Sequence, residues 1–330
     1  MEFKTKTTNW GRKIKFVTAV ATFLTLGAQV SADTFIRIGS GLAGTYPLVG
    51  AKMAELINAN IDGVEATTVS GGTSANFVKL QNGEIEMLLT YSFLSGIVRN
   101  DGGSLGVQVP KVRHLMTLYG AFFQPIASKN SGITSLSQVA DGPNRLWGAN
   151  RTSIFFPMID AALGSHDVKM SDITSAGGVM ETIGYRDAAP AMQDGRLDVG
   201  FFSGPAPYGL MLQIEDNPGF EILGFSDGAA KKFSEMLPGT GSGVIPAGTY
   251  KGQSEDKLVP YLVNQLVISS DVSEDLAYQI TKVLVENHKE FHALFAGADE
   301  IVPSNALNNN PVEVHPGAAR YYSEAGISAR

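Results

Sequence analysis

The sequence has no cysteine among its 330 residues, and only 17% of its residues are charged. The absence of cysteine excludes a disulfide scaffold, an iron–sulfur cluster, a thiolate zinc site and a cysteine nucleophile. Basic residues are outnumbered by acidic ones, for a net charge of −7, which argues against a nucleic-acid partner because phosphates require a basic face. Apolar residues make up 44% of the chain, so it can bury a core for one large domain or two medium ones.

The N-terminus has the pattern of a secretory signal peptide. Its first 15 residues hold five basic side chains against one acid, a mostly apolar run follows from Ile14 to Val30, and small residues close the segment at Ser31 and Ala32. This order of features predicts cleavage before Asp33 and export to the periplasm. Without residues 1–32 the chain keeps 20 basic and 31 acidic residues, a net charge of −11. No later segment approaches the ~18–20 consecutive apolar residues of a membrane span.

Short apolar stretches alternate with helical ones along the rest of the chain. We expect strands at 35–39, 64–70, 86–90, 124–128, 145–148, 198–202 and 261–268. We expect helices at 47–60, 74–82, 153–163, 188–194 and 274–295. This alternation predicts a mainly parallel sheet with helices on its faces. No linker rich in Pro, Gly or Ser interrupts it, so the sequence predicts two α/β lobes joined by crossing strands.

The turn after the first predicted strand reads G-S-G-L-A-G over residues 39–44, which formally matches a dinucleotide-binding motif. That motif also needs an acidic residue at the end of the second strand, and the only acid there, Glu65, lies near its start. The remaining property of the turn is general: N–H groups at the start of a helix attract an anion.

Three further turns combine small and hydroxyl-bearing residues at the ends of predicted strands. They are residues 70–76 (SGGTSAN), residues 90–92 (TYS) and residues 148–153 (GANRTS). Ligands of open α/β sheets bind beyond the carboxyl ends of the strands, so these turns are expected to converge on one crevice. Arg151 is the one guanidinium at such a turn, and guanidinium groups bind carboxylates through two parallel hydrogen bonds.

Two catalytic alternatives remain open at this point. Residues 224–228 read G-F-S-D-G, which would make Ser226 the nucleophile of a serine hydrolase with Asp271 or Asp275 and His288 as partners. His288 and His292 are four residues apart, as in a two-histidine metal site, but Lys289 stands where H-E-x-x-H has glutamate. No His-Gly-Gly segment that could form an oxyanion hole precedes Ser226. We therefore favour a protein with no metal, no cofactor and no enzymatic activity over both alternatives.

The chain resembles the TAXI family of extracytoplasmic solute receptors, which serve TRAP (tripartite ATP-independent periplasmic) transporters. The resemblance rests on residues 38–46 (IGSGLAGTY), 70–77 (SGGTSANF), 81–86 (QNGEIE), 131–136 (SGITSL), 193–198 (QDGRLD), 245–253 (IPAGTYKGQ) and 315–326 (HPGAARYYSEAG). It implies a type II periplasmic binding protein fold, in which two α/β lobes are joined by a hinge and enclose a ligand cleft. It also implies capture of a small carboxylate or amino acid, such as glutamate or 2-oxoglutarate, for TRAP membrane subunits.

The expected organisation is a signal peptide over residues 1–32, lobe I over 33–121, lobe II over 122–222 and a return to lobe I over 223–330. The expected ligand-binding residues are Gly44, Thr45, Tyr46, Ser70, Thr73, Ser74, Asn76, Tyr91, Ser92, Arg151, Thr152, Ser153 and Pro205. In this hypothesis the residues up to Asn76 hold one end of the anion, and residues 151–153 close over a carboxylate. Two other classes remain: a binding protein of an ABC importer or a ligand-sensing receptor with the same fold, and the serine hydrolase.

Overall fold

Strands and helices follow one another along the second unit of the chain, Asp33–Arg330, mostly in alternation. The computed structural model describes residues 1–4, 34–41, 45–151, 153–295 and 297–329. The predicted signal peptide lies almost entirely outside these residues and stays a prediction. No helix in the described part of the chain has the length and hydropathy of a membrane span.

The described residues form ten strands and ten α-helices. The strands are β1 (Thr34–Ser40), β2 (Val64–Ser70), β3 (Met87–Tyr91), β4 (Val112–Ser128), β5 (Arg145–Trp147), β6 (Val179–Glu181), β7 (Val199–Gly204), β8 (Phe220–Ile222), β9 (Thr240–Ile245) and β10 (Lys257–Ser269). The helices are α1 (Tyr46–Asn60), α2 (Thr73–Gln81), α3 (Ser92–Asn100), α4 (Phe155–Gly164), α5 (Met170–Ser175), α6 (Ala188–Gln193), α7 (Gly209–Leu212), α8 (Asp227–Met236), α9 (Glu274–Glu286) and α10 (Pro316–Glu324).

The strands form one mixed sheet in the order β2-β1-β3-β10-β4-β7-β5-β6, with β8 beside β4 and β9 beside β10. The pairs β1–β2, β1–β3, β5–β6 and β5–β7 are parallel, as the alternation of strands and helices predicts. The pairs of β10 with β3, β4 and β9, and of β4 with β7 and β8, are antiparallel. The prediction of a mainly parallel sheet is thus correct only for its two flanks.

The two central strands are long and change partners along their length. β4 pairs with β10 over residues 112–122 and with β7 over residues 122–127. β10 pairs with β3 over residues 264–268 and with β9 over residues 257–262. One antiparallel pair therefore holds both parallel flanks of the sheet.

The sequence predicts only the last five residues of β4, because the first part of this strand contains polar residues that interrupt the apolar pattern. Two of them, His114 and Thr117, are buried but fully bonded. The imidazole of His114 lies 2.9 Å from Gln265 Oε1 and 2.8 Å from the carbonyl oxygen of Ala306, and Thr117 donates to the carbonyl oxygen of Asn308 at 2.7 Å. Such bonds offset the cost of burying polar groups.

The apolar side chains form two cores, one on each face of β3. Met87 and Leu89 pack into one core with α1, α9 and α10, whereas Leu88 packs into the other with α2, α3 and the second half of the chain. Successive side chains of a strand point to opposite faces, so β3 contributes to both. Both faces of this part of the sheet are therefore covered.

α9 ends at Glu286, so the predicted helix to Phe295 is too long. Asn287 donates its side-chain amide to the carbonyl oxygen of Val283 at 2.8 Å, and His288 Nδ1 lies 2.9 Å from the carbonyl oxygen of Val285. These side chains satisfy the last carbonyls of the helix, and a 3₁₀ turn follows over His288–Phe291.

In each parallel flank of the sheet, an arginine of one strand binds a carboxylate that lies just before the neighbouring strand. We call this pair an arginine–carboxylate clamp. Arg37 of β1 donates its backbone N–H (2.7 Å) and its Nε (3.1 Å) to Glu86, and its guanidinium reaches the carbonyl oxygen of Gly83 at 2.8 Å. Arg145 of β5 does the same with Asp198 (2.8 and 3.0 Å) and with the carbonyl oxygen of Gly195 (2.6 Å). Both glycines have positive φ, at 74° and 68°. The two flanks thus fix the start of a strand in the same way.

We expect Asp198→Asn to lower the free energy of unfolding by about 1–2 kcal/mol, because it removes a charge-assisted bond to a guanidinium. The expected loss of stability is kept this small because the Arg145 side chain is 42% exposed and water weakens its interaction with Asp198. Urea unfolding measures it. Asp194→Asn is the matched control: its carboxylate lies in the same turn, is 64% exposed and makes a single 3.5 Å ion pair with Arg196. Equal stability of the two variants would contradict a clamping role.

Candidate functional site

A cavity of about 750 Å³ lies beyond the carboxyl ends of the parallel strands. It is lined by Gly41, Thr45, Tyr46, Gly71, Gly72, Thr73, Ser74, Ala75, Tyr91, Tyr119, Gly120, Ala121, Ser153, Ile154, Phe155, Tyr185, Ser203, Gly204, Pro205, Tyr208, Asn264 and Phe295. The lining follows β1, β2 and β3 in the first half of the chain and β5 and β7 in the second, with β4 and β10 between them. Its volume is in the range typical of small-molecule sites.

The lining residues that the structure describes include seven aromatic side chains and no Asp, Glu, Lys, Arg or His. The aromatic residues are Tyr46, Tyr91, Tyr119, Phe155, Tyr185, Tyr208 and Phe295. The wall is therefore electrically neutral, and its polar groups are hydroxyls, one amide and backbone atoms.

On one side of the cavity, hydrogen bonds connect α1 to the central strands. Tyr46 donates its hydroxyl to Asn264 Oδ1 at 2.7 Å, and Asn264 donates its amide to the carbonyl oxygen of Tyr119 at 2.9 Å. The hydroxyl of Tyr119 is in turn bonded to Thr45 Oγ1. The chain of bonds fixes the orientation of both tyrosine rings.

On the opposite side, Ser203 at the end of β7 is the common partner of two tyrosines. The hydroxyl of Tyr185 accepts the backbone N–H of Ser203 at 3.1 Å and donates to Tyr208 at 3.3 Å. Ser203 Oγ lies 3.2 Å from the hydroxyl of Tyr91, which stands at the end of β3. This last bond spans the cavity from the first half of the chain to the second.

Burial raises the pKa of Tyr46, Tyr91, Tyr119 and Tyr185 above the usual value near 10. Burial is the largest cause in each case, since the phenolate form would be poorly solvated. The four phenols are therefore neutral at physiological pH, and two of them, Tyr46 and Tyr185, donate hydrogen bonds to Asn264 and Tyr208.

The start of α2 forms part of the wall. Its N-cap is Gly72, which provides no side chain to bond the first N–H groups of the helix, and Thr73, Ser74 and Ala75 of its first turn line the cavity. The first N–H groups of a helix have no partner within the helix, and its dipole favours negative charge there. This wall suits an anionic or hydrogen-bond-accepting group.

β4 contains an extra residue where it lines the cavity. Gly120 pairs with Val263, and Thr117 pairs with Gln265. Two residues of β4 therefore lie between these pairs where β10 has only one, which is a β-bulge. The backbone N–H of Gly120 donates to Glu300 Oε2 at 2.9 Å, and the same carboxylate accepts the hydroxyl of Tyr261 at 2.6 Å. Glu300 therefore satisfies the N–H of the irregular strand.

Seven of the predicted ligand-binding residues line the cavity: Thr45, Tyr46, Thr73, Ser74, Tyr91, Ser153 and Pro205. Gly44 and Thr152 lie outside the described residues. Ser70, Asn76, Ser92 and Arg151 do not line the cavity. The turns therefore converge as predicted, but not every polar residue on them reaches the cavity.

Each of the four residues outside the lining has a different environment. Ser70 is an exposed residue at the end of β2, and Ser92 is buried and donates to the carbonyl oxygen of Gly239. Asn76 is buried and donates to the carbonyl oxygens of Ser40 and Gly71 at 3.3 and 3.1 Å, so it ties together the turns after β1 and β2. The guanidinium of Arg151 is exposed and lies 5.6 Å from the centre of the Phe156 ring.

Sequence reasoning did not single out Tyr119, Gly120, Tyr185, Asn264 or Phe295, all of which line the cavity. Most of them lie within strands or irregular segments, where no turn pattern marks them. Asn264 carried a usable signal, because it is a polar residue inside the apolar stretch YLVNQLVI.

The candidate catalytic residues have structural partners. Ser226 is the N-cap of α8, and its Oγ accepts the N–H of Ala229 at 3.2 Å, the usual role of a serine at this position. His292 Nε2 lies 3.2 Å from the carbonyl oxygen of Ile301. No group of three or more His, Cys, Asp or Glu residues suited to a metal ion occurs among the described residues.

Residues 38–326 match the model of the NMT1-like family, which is most of the chain. The chain belongs to the NMT1-like family. Among solved structures, this NMT1-like protein is similar to a TctC solute-binding protein from Polaromonas, with a TM-score of 0.52 and 10% identity over 83% of this chain and 89% of that one. It is also similar to PhnD1 from Prochlorococcus marinus, which was solved in complex with methylphosphonate. The TM-score is 0.50, with 9% identity over 82% of this chain and 89% of that one. At such identities the likeness concerns the fold, which is the two-lobed type II periplasmic binding protein fold.

We expect Gly120→Ala to lower the free energy of unfolding of this NMT1-like protein by about 1–3 kcal/mol, as overpacking does. A methyl group at position 120 would lie 1.9 Å from Cζ of Tyr261, so the ring would have to leave Glu300. Urea unfolding measures the change. Gly241→Ala is the control, because the nearest atom to its added methyl group is 4.0 Å away. Wild-type stability of Gly120→Ala would show that the ring moves without cost.

We expect stability to fall as the pH rises above about 10, where tyrosines of the unfolded chain ionise. The raised pKa values mean that the folded protein keeps protons that the unfolded chain loses, so higher pH favours unfolding. Below about pH 10 this contribution is constant. In a pH titration, the tyrosinate absorbance of these four tyrosines should rise only as the circular dichroism of the folded protein is lost. Ionisation of all ten tyrosines while the protein is still folded would contradict the raised pKa values.

Proposed function

We propose that the protein is a TAXI-type periplasmic solute receptor, which captures a small organic anion and delivers it to a TRAP-type transporter. The cavity is the observation that carries this proposal, because it lies between two sets of parallel strands that one antiparallel pair connects. A ligand there contacts both halves of the chain at once. Binding then favours the closed arrangement, in which both sets of contacts exist.

The anionic group is held, in this proposal, at the start of α2. Thr73 and Ser74 of its first turn and Thr45 at the start of α1 bring hydroxyls to the same wall of the cavity. Tyr46 and Tyr91 form the side of the site, and Ser153 and Pro205 face it from the second half of the chain. The assignment of Ser70, Asn76, Ser92 and Arg151 to direct ligand contact has no support from their positions.

We assign residues 33–121 to lobe I and residues from 122 to lobe II, because β4 changes its partner from β10 to β7 at Phe122. The packing supports a later return to lobe I than residue 223. α8 packs against α4, and Lys232 of α8 pairs with Asp167 at 2.5 Å. Lobe II then extends through β9, and β10 carries the chain back to lobe I.

The proposal places the mature chain in the periplasm after removal of residues 1–32, and treats it as a binding protein rather than an enzyme. The charge pattern of the N-terminus supports export. An ABC-importer or sensor protein of the same fold remains the alternative. Neighbouring genes for a multi-span TRAP membrane subunit, rather than for an ATPase, would favour the proposal.

We expect Ala75→Trp to weaken binding at least tenfold, because Ala75 lines the cavity beside the proposed anion position and a large ring there excludes ligand. Thermal-shift and calorimetric titration with benzoate, succinate, glutamate, glutamine and 2-oxoglutarate measures the binding of wild type and variant. A bound ligand stabilises the folded state by mass action. Val78→Trp is the control, since Val78 is exposed on the same helix and outside the lining. Equal binding by both variants would place the site elsewhere.

A further inference from the structure

The cavity recognises its ligand without a charged side chain. No described lining residue is acidic, basic or a histidine. A second carboxylate on the ligand would therefore lose its hydration without gaining a counter-charge, which is costly in a buried site. The faces of aromatic rings carry partial negative charge, and their repulsion of a carboxylate would add to that cost. A single anionic group, in contrast, is served by the N–H groups at the start of α2.

The aromatic rings are fixed in place by bonds that do not involve a ligand. All five tyrosine hydroxyls of the lining have a partner within the protein: Tyr46 with Asn264, Tyr91 with Ser203, Tyr119 with Thr45, and Tyr185 with Tyr208. The hydroxyls are therefore already engaged, and the ring surfaces are the larger part of what the wall offers.

The rings are also arranged in pairs on both sides of the cavity. Phe155 stacks on Tyr185 with 4.5 Å between ring centres, and Phe295 meets Tyr119 edge to face at 4.7 Å. Tyr46 and Tyr91 are tilted at 6.5 Å. An aromatic ligand gains contact energy from such pairs beyond that of simple burial. An aliphatic dicarboxylate would leave these surfaces without a partner.

We infer that the ligand is an aromatic monocarboxylate, with a planar ring among the tyrosines and phenylalanines and a single negative charge. This inference rests on the proposed function, since it names the substrate class of the same site. It differs from the expectation of glutamate or 2-oxoglutarate, which followed from the resemblance to the TAXI family. It also leaves Arg151 without a role in binding, in agreement with its exposed position over Phe156.

Four probes separate the contributions of the ring and of the charge. Calorimetric titration of the purified protein compares benzoate, cyclohexanecarboxylate, phthalate and 2-oxoglutarate. Benzoate and cyclohexanecarboxylate share one carboxylate but differ in aromaticity, while benzoate and phthalate share the ring but differ in charge. We expect benzoate to bind at least tenfold more tightly than phthalate and 2-oxoglutarate, and more tightly than cyclohexanecarboxylate.

Tighter binding of phthalate or 2-oxoglutarate than of benzoate would overturn the inference and leave the proposed function intact. Equal binding of benzoate and cyclohexanecarboxylate would overturn the aromatic part. Binding of none of the four probes, with a folded protein shown by circular dichroism, would count against both the inference and the proposed capture of an organic anion.

Two variants test the same points on the protein. Phe155→Leu removes one ring of the lining and should weaken benzoate binding about three- to tenfold, as loss of an aromatic pair predicts. Phe35→Leu is the matched control, because Phe35 is 57% exposed and outside the lining. Arg151→Ala should change benzoate binding less than twofold, whereas a loss of thirtyfold or more would show that Arg151 grips the carboxylate and would overturn the charge argument.

Discussion

The antiparallel pairing of β4 with β10 is the interaction on which the rest of the structure depends. β10 pairs with β3 of the parallel set β2-β1-β3, and β4 pairs with β7 of the parallel set β7-β5-β6. The cavity exists because the two sets diverge from this pair. The bulge between Thr117 and Gly120 lies in this pair, and Glu300 of the C-terminal segment accepts hydrogen bonds from Gly120 and Tyr261 beside it.

The two flanks repeat one device for anchoring a strand. A helix ends in Q-N-G or Q-D-G, the glycine takes positive φ, and an acid three residues later accepts both the backbone and the side chain of an arginine on the neighbouring strand. The acid lies just before β3 in one case and just before β7 in the other. The clamp fixes the amino ends of these strands, so the loops at their carboxyl ends can differ between the flanks. The site is built from those loops.

The sequence allowed the flanking elements to be predicted because their patterns are local. β2 agrees residue for residue, and α2 and α6 agree to within a residue. β4 was mostly missed, since its polar residues are satisfied by partners such as Gln265 and Asn308, which are distant in sequence. The same limit applies to the site: hydroxyl-rich turns were recognisable, but Tyr185, Asn264 and Phe295 reach the cavity only through long-range packing. Conversely, Asn76 and Ser92 look like ligand residues in sequence but bond to backbone carbonyls of neighbouring turns.

The bond between Tyr91 and Ser203 links the two halves of the chain across the cavity. It joins two neutral hydroxyls, and such a bond contributes only about 0.5–1.5 kcal/mol net. In the proposed function, the time that a ligand stays bound is therefore governed by its own contacts with the cavity more than by this bond. In the proposed solute receptor, the ligand can thus leave without a strong bond between the two halves of the chain having to break.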